Sequence, residues 1–333
     1  MKKNEDREMN RGFYAFGTMN YIRIDSPLPE QTQSELLSDM QIRCDKLDDL
    51  LSAFKPDSDI GRINKAAGVH PVVIRDVTFR LLERASYFAE ESGGAFDLTI
   101  RPAVELWNIG NGKESVPEEE ACRKVSRLVN YRQLHLDREH QTAFLEQKGQ
   151  GIDLGGIAKG YAGDVIRSEM MDRGVTSGIL NFGGTILTIG KKTDGSSWKA
   201  GIQNPLRERG NFFGQVILDQ DALVTSGVNE RFFIKDGVRY HHLLDPRTCS
   251  TARSGVLSVT AAGGCAMDLD GITTALFVLG IREGIPLAEK MGIEALYLGE
   301  DGSIISTKGF AEGKYHFYIS TGIQNGRMGQ KNS

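Results

Sequence analysis

The stretch Cys265-Ala-Met-Asp-Leu-Asp-Gly-Ile-Thr-Thr-Ala275 puts Asp268, Asp270, Thr273 and Thr274 at the head of a segment that then turns wholly apolar. Packing alone gives no reason for acids there. A helix start does, because its free N–H groups and positive dipole end favour Asp and Thr in the first turn. For two of the four residues that reason suffices. Asp270 and Thr274 ask for more: four residues apart on a helix, they share a face, carboxylate beside hydroxyl. Hard oxygens so placed suit Mg²⁺, which takes one or two protein carboxylates plus water and substrate phosphate.

A second segment, Gly151-Ile-Asp-Leu-Gly-Gly-Ile-Ala-Lys-Gly-Tyr-Ala-Gly-Asp164, reads as a short apolar strand passing through two glycines into a helix. Glycines expose backbone there, and a helix start favours phosphate. Lys159 falls in the first turn, where a cation opposes the dipole, which points to an anionic partner; on the glycines and lysine alone, a tight turn with a solvated lysine is the favoured reading. Asn181-Phe-Gly-Gly-Thr185 repeats the theme inside a strand, where paired glycines mark close approach of a ligand or another backbone. Gln203-Asn-Pro205 reads as a turn, and Ser226-Gly-Val-Asn-Glu-Arg231 as a loop capped by a serine. In Tyr240-His-His-Leu-Leu-Asp-Pro-Arg-Thr248 the adjacent His241 and His242 face opposite sides of a strand. One is expected to reach a cleft as a general base and the other to lie on the surface. Asp245 begins a turn, and Gly93-Gly-Ala-Phe-Asp97 is a glycine helix stop leading to an acid.

The elements that must hold these residues follow from periodicity. Phe13 to Ile24 reads as a strand. Leu36, Met40, Cys44, Leu47, Leu51 and Phe54 recur at helical spacing, a helix of about five turns that Lys55-Pro-Asp-Ser-Asp breaks. A second helix is expected from Asp76 to Glu91. Beyond Gly149 come glycine-punctuated strands at 179–190, 198–202, 212–218, 231–234 and 238–244. Helices at 157–171 and 270–279 interrupt them, and Ala295–Leu298 with Ser303–Ser306 forms a closing hairpin. The pattern is one compact α+β unit with two lobes.

The chain has 333 residues, 40% hydrophobic and 25% charged, ordinary for a soluble globular protein. A net charge of −4 and the lack of a basic cluster with interleaved aromatics argue against nucleic acid. Its four cysteines form no CxxC, and Cys44 and Cys122 are expected to be packed thiols. The start MKKNEDREMNRG lacks the apolar stretch of a secretory signal, and no run approaches the ~18–20 apolar residues of a membrane span, so the cytoplasm is the expected compartment. Residues 1–11 are expected to be flexible, 12–322 to form the domain, and the polar tail 323–333 to be disordered.

Taken in order, these segments resemble the ApbE family, the FAD:protein FMN transferases. The family's Met-Gly-Thr resembles Phe16-Gly17-Thr18, and its Ser-Xaa-Ile element Ser58-Asp-Ile-Gly-Arg-Ile-Asn64. Its glycine-rich strand–helix element resembles 153–164, and its His-Xaa-Xaa-Asp-Pro-Xaa-Thr-Gly resembles 242–249, with Cys249 for Gly. Its Ala-Asp-Xaa-Leu-Xaa-Thr-Ala resembles 269–275, with Leu269 for Ala. The resemblance implies a T-fold-like α+β protein of mixed, mainly antiparallel sheets with packed helices. It implies Mg²⁺-dependent transfer of FMN from FAD to a Ser or Thr hydroxyl of a flavoprotein, with release of AMP. On that basis Gly156, Asp270 and Thr274 hold the metal and His242 is the base. Phe16, Ser52, Ala53, Phe54, Ala95, Phe96, Asp97, Lys159, Asp164, Asn181, Gly183 and Leu243 would bind FAD. Two alternatives keep the same pocket: a Mg²⁺-dependent FAD pyrophosphatase giving FMN and AMP, and a non-enzymatic FAD-binding protein.

Overall fold

Short runs rich in Val, Ile, Thr and aromatics, each ended by glycine or a polar turn, build the central sheet. The structure is a computed structural model and describes residues 9–112, 114–315 and 317–319, so the tail expected to be disordered lies outside the described residues. Eight strands lie side by side in chain order: β1 (Met9–Ala15), β2 (Thr18–Ile24), β3 (Gly178–Phe182), β4 (Thr185–Ile189), β5 (Ala222–Gly227), β6 (Val256–Gly263), β7 (Glu294–Gly299) and β8 (Ile304–Ser306). Every neighbouring pair is antiparallel. The site is built from the excursions between these strands.

The longest excursion, between β2 and β3, holds α1 (Glu30–Leu51), α2 (Asp59–Lys65), α3 (Asp76–Glu91), α4 (Arg101–Trp107), α5 (Glu119–Ser126) and α6 (Ala158–Asp172). It also holds a small sheet of Val72–Val73, Leu134–Asp137 and Thr142–Leu145. Helix α7 (Ala266–Lys290) links β6 to β7. Along β5, Ala222 and Val224 join the core beneath the helices, while Leu223 between them joins a core shared with Trp198–Gln203 and Phe212–Leu218. Alternation thus sends successive side chains to opposite faces, and both faces are covered. Cys44 and Cys122 are buried, as expected of packed thiols.

Helix α7 is long and apolar enough to pass for a membrane span by length and composition, but most of it is buried between α6 and the sheet, as a core helix is. Its regular path breaks at Gly280 (φ 72, ψ −173), one residue past the expected stop at Leu279. It begins earlier than expected, at Ala266, because an acid from another helix caps it: Asp164 Oδ2 accepts from the Met267 N–H at 2.8 Å. Helices α6 and α7 meet at Gly160, where an added Cβ would lie 2.2 Å from the Ala266 carbonyl oxygen and 2.8 Å from Asp270 Cβ. Only glycine permits this crossing, which brings Lys159 to Asp270.

Several expectations are revised. The strand expected from Phe13 to Ile24 is two strands joined by a two-residue turn, with Phe16 at φ 53 and Gly17 at φ 70. Left-handed backbone at both central positions defines the hairpin turn that matches strand twist. A phenylalanine is a poor signal for it, and Asp48 holds it by accepting from the Phe16 N–H at 3.2 Å. The strand expected at 179–190 is likewise β3 and β4, so Gly183 and Gly184 form a turn between strands and do not interrupt one. Helix α3 spans the expected Asp76–Glu91, and the closing hairpin is β7–β8. Helices α2, α4 and α5 were not anticipated.

Candidate active site

One cleft of about 510 Å³ opens where the excursions converge. Its walls come from the β1–β2 turn (Phe16), the loop after α1 (Ser52, Ala53, Phe54), the loop after α3 (Ala95, Phe96, Asp97), the turn into α6 (Gly156, Lys159), the β3–β4 turn (Gly183), His242 with Leu243, and α7 (Asp270, Thr274). Fourteen of the sixteen expected site residues therefore line a single cavity. Asp164 and Asn181 do not line it. Asp164 has its oxygens committed to Arg167 Nη2 at 2.8 Å and to the start of α7, so it positions that helix. Asn181 Oδ1 accepts from the Gly184 N–H at 2.9 Å and fixes the turn that presents Gly183.

Asp270 is the buried anion at the cleft floor, 4% exposed. Lys159 Nζ lies 3.3 Å from each of its oxygens, and the Gly160 N–H donates to Oδ2 at 3.0 Å. Lys159 also donates to the Gly155 carbonyl at 2.8 Å. The anionic partner expected for Lys159 is thus supplied by the chain itself. Thr274 shares the helix face of Asp270, and its hydroxyl has no hydrogen-bond partner among the described residues. An added Cβ at Gly156 would sit 3.2 Å from Thr274 Oγ1 and 3.1 Å from Phe96. Gly156 therefore keeps room between its backbone and the α7 oxygens. Carbonyl, carboxylate and hydroxyl are hard oxygen donors of the kind Mg²⁺ could take alongside water and phosphate. Among the described residues no group of three or more His, Cys, Asp or Glu is arranged to hold a metal, so an all-protein cage is absent there.

The other head-of-helix residues take structural roles. Arg84 grips Asp268 with two parallel bonds, 2.8 and 2.6 Å, tying α3 to α7. Thr273 is buried and bonded to Ser226 Oγ at 3.0 Å. Asp97 lines the cleft, yet Oδ1 accepts from the N–H and hydroxyl of Thr99 and Oδ2 from the Tyr131 N–H. Burial raises its pKa, and those bonds oppose the rise. It braces the pocket wall.

Strand alternation separates the two histidines, though both differ from a surface role. His241 is 3% exposed, packed edge-on against Phe277, with Nε2 3.2 Å from the Ala252 carbonyl. The expectation that one histidine lies on the surface is corrected: that ring fills the core. His242 lines the cleft, with Nδ1 3.3 Å from the Arg231 carbonyl. A carbonyl only accepts, so Nδ1 carries the proton and Nε2 keeps its lone pair. Desolvation first, then the charge of Arg231, lowers the His242 pKa to about 3, so the ring is neutral at ordinary pH.

Asp48, Trp107, Arg209, Glu230 and Arg231 also line the cleft and were not anticipated as site residues. Arg209 and Glu230 pair at 2.9 Å across two loops. Exposed loop residues of this kind carry no periodic signal. Trp107 is anchored by donating Nε1–H to the Cys249 carbonyl at 2.7 Å, and Cys249 sits at φ 52, where the family pattern has glycine.

Residues 16–297 match the ApbE family. The chain belongs to the ApbE family. It is 34% identical over 321 residues to the FAD:protein FMN transferase of Treponema pallidum, covering 92% of this chain and 88% of that protein. It is 34% identical over 261 residues to a FAD:protein FMN transferase of Klebsiella pneumoniae, with 78% and 81% covered. Its fold is similar to the crystal structure of the ApbE protein from Thermotoga maritima, with TM-score 0.84, 31% identity, and 92% and 98% of the two chains covered. It is also similar to the apo flavinyl transferase ApbE of Pseudomonas stutzeri, with TM-score 0.79, 29% identity, and 94% and 98% covered. The α+β architecture of mainly antiparallel sheets and packed helices is thus that of ApbE structures.

Proposed function

We propose that this chain is a FAD:protein FMN transferase that moves FMN from FAD to a Ser or Thr hydroxyl of a flavoprotein and releases AMP. The observation that carries this reading is the convergence in one cleft of an imidazole held through Nδ1 at a carbonyl, a buried carboxylate–lysine pair and aromatic rings. Phe16 and Phe54 offer apolar ring surface, Phe96 and Trp107 line the same cleft while nearly buried, and Arg101 stacks on Phe54 at 4.1 Å from its centroid. Arg209, Arg231 and Lys159 offer cations to a pyrophosphate.

The acceptor hydroxyl loses its proton to His242 Nε2 as its oxygen attacks the phosphorus of the FMN half. The bond from that phosphorus to the bridging oxygen breaks, and AMP leaves. Gly156, Asp270 and Thr274 would hold Mg²⁺, which neutralises charge building on the phosphate oxygens when bound. Lys159, held at Asp270, would add a second positive charge beside that position.

The adenylate half and the pyrophosphate give FAD contacts that FMN lacks. A flavin fluorescence titration should accordingly show tighter binding of FAD than of FMN. Equal affinities would mean a flavin-only pocket and remove FAD as the donor.

A further inference from the structure

Asp236 (φ 51) and Gly237 (φ 74) close a hairpin of Phe232–Lys235 and Val238–His241. The His242 N–H donates to the Arg231 carbonyl at 3.0 Å. Bonded pairs alternate along an antiparallel ribbon, so Phe233 with Tyr240 and Lys235 with Val238 are the next bonded pairs. The backbone N–H and C=O groups of Phe232 and Ile234 therefore point away from the hairpin, and none has a hydrogen-bond partner among the described residues. Their side chains are 38% and 62% exposed. This free edge runs directly into Glu230 and Arg231, which line the cleft, and the partner strand runs into His242.

We propose that the free edge of Phe232–Lys235 is where the acceptor protein docks, adding an extended segment as a third strand that carries its hydroxyl past Arg231 to His242. This inference rests on the transferase reading and names how its protein substrate is held. Four residues of strand span ~13 Å, so a short acceptor segment reaches from the hairpin tip to the cleft. Apolar side chains of that segment pair with Phe232 and Ile234. Residues 206–211 and 230–239 carry five cations against three acids in a chain whose net charge is −4, so carboxylates near the acceptor hydroxyl are favoured. A second copy of this chain fits worse, because antiparallel self-pairing of the edge brings Arg231 of one copy toward Lys235 of the other.

Ile234→Pro tests the edge, because it removes an outward N–H while the hairpin's own ladder is untouched, a placement edge strands tolerate. The KM for the acceptor protein should rise at least about tenfold while FAD affinity stays unchanged. Ile234→Glu, which keeps the backbone group but repels carboxylates, is the second variant should the first not fold. In the wild-type protein, hydrogen exchange at the Phe232 and Ile234 amides should slow when the acceptor is added. An unchanged KM in both variants with no protection of these amides overturns the proposal. Protection that grows with enzyme concentration in the absence of acceptor assigns the edge to a second copy and overturns it too. Wild-type enzyme that moves no flavin sinks the transferase reading and this inference together, whereas active wild type with indifferent variants sinks the docking edge alone.

Discussion

Asp270→Asn should lower AMP release from FAD by at least ~10²-fold, the scale on which removing one preorganised charge from a reacting centre acts. Asn keeps an oxygen to accept from the Gly160 N–H, now bonded to Asp270 at 3.0 Å, so the crossing of α6 and α7 survives. What is lost is the negative charge that holds Lys159 and that would hold Mg²⁺. A second readout separates this from a general defect: Mg²⁺ should stabilise the wild-type protein in a thermal shift assay and leave the variant's melting temperature unmoved. FAD affinity without metal should change little, since the aromatic wall is intact. Near wild-type turnover in Asp270→Asn would show that the metal assignment is wrong.

The two histidines should fail in different ways. His242→Asn should slow transfer by ~10²–10⁴-fold, the usual range for loss of a general base, with a melting temperature close to wild type. His241→Asn should behave in reverse. Its ring fills core space against Phe277 and bonds the Ala252 carbonyl, so truncation costs stability, on the order of 1–3 kcal/mol, while turnover of the folded protein stays near wild type. Burial lowers the His241 pKa to about 4, and its place in the core, away from the cleft, is what makes it a structural ring. Should His241→Asn be the variant that stops the reaction, His242 is not the base.

Part of this site was legible because chemistry constrains residue type at a fixed spacing, whereas pocket residues such as Ser52, Ala53, Phe96 and Leu243 came only through the resemblance to the family. Asp270 and Thr274 could be paired from the helical period alone, and alternation separated His241 from His242. Helix α3 was legible to the residue because Leu81, Ala85 and Phe88 are all buried at helical spacing and a glycine follows its end. Phe16 hid its turn, since a bulky residue in a left-handed conformation is held in part by Asp48 from a distant helix, a contact no local pattern records. Asp164, assigned to FAD by the resemblance, does not line the cleft and bonds the start of α7, a placement only the fold shows. Arg209 and Arg231 belong to the cleft through tertiary convergence, which a linear pattern does not record. Helix α2 was missed although its cap was visible: Ser58 Oγ accepts from the Gly61 N–H at 2.7 Å, but Gly61 and Asn64 dilute the helical signal.

Transfer of FMN from FAD to a protein hydroxyl can be measured directly. The direct measurement is to incubate the enzyme with FAD, Mg²⁺ and an acceptor flavoprotein, and to count AMP released and flavin covalently bound to the acceptor by mass spectrometry. One AMP should appear for each FMN attached, with an acceptor heavier by one FMN less water. AMP accompanied only by free FMN, with the acceptor mass unchanged, would contradict it and make the enzyme a pyrophosphatase.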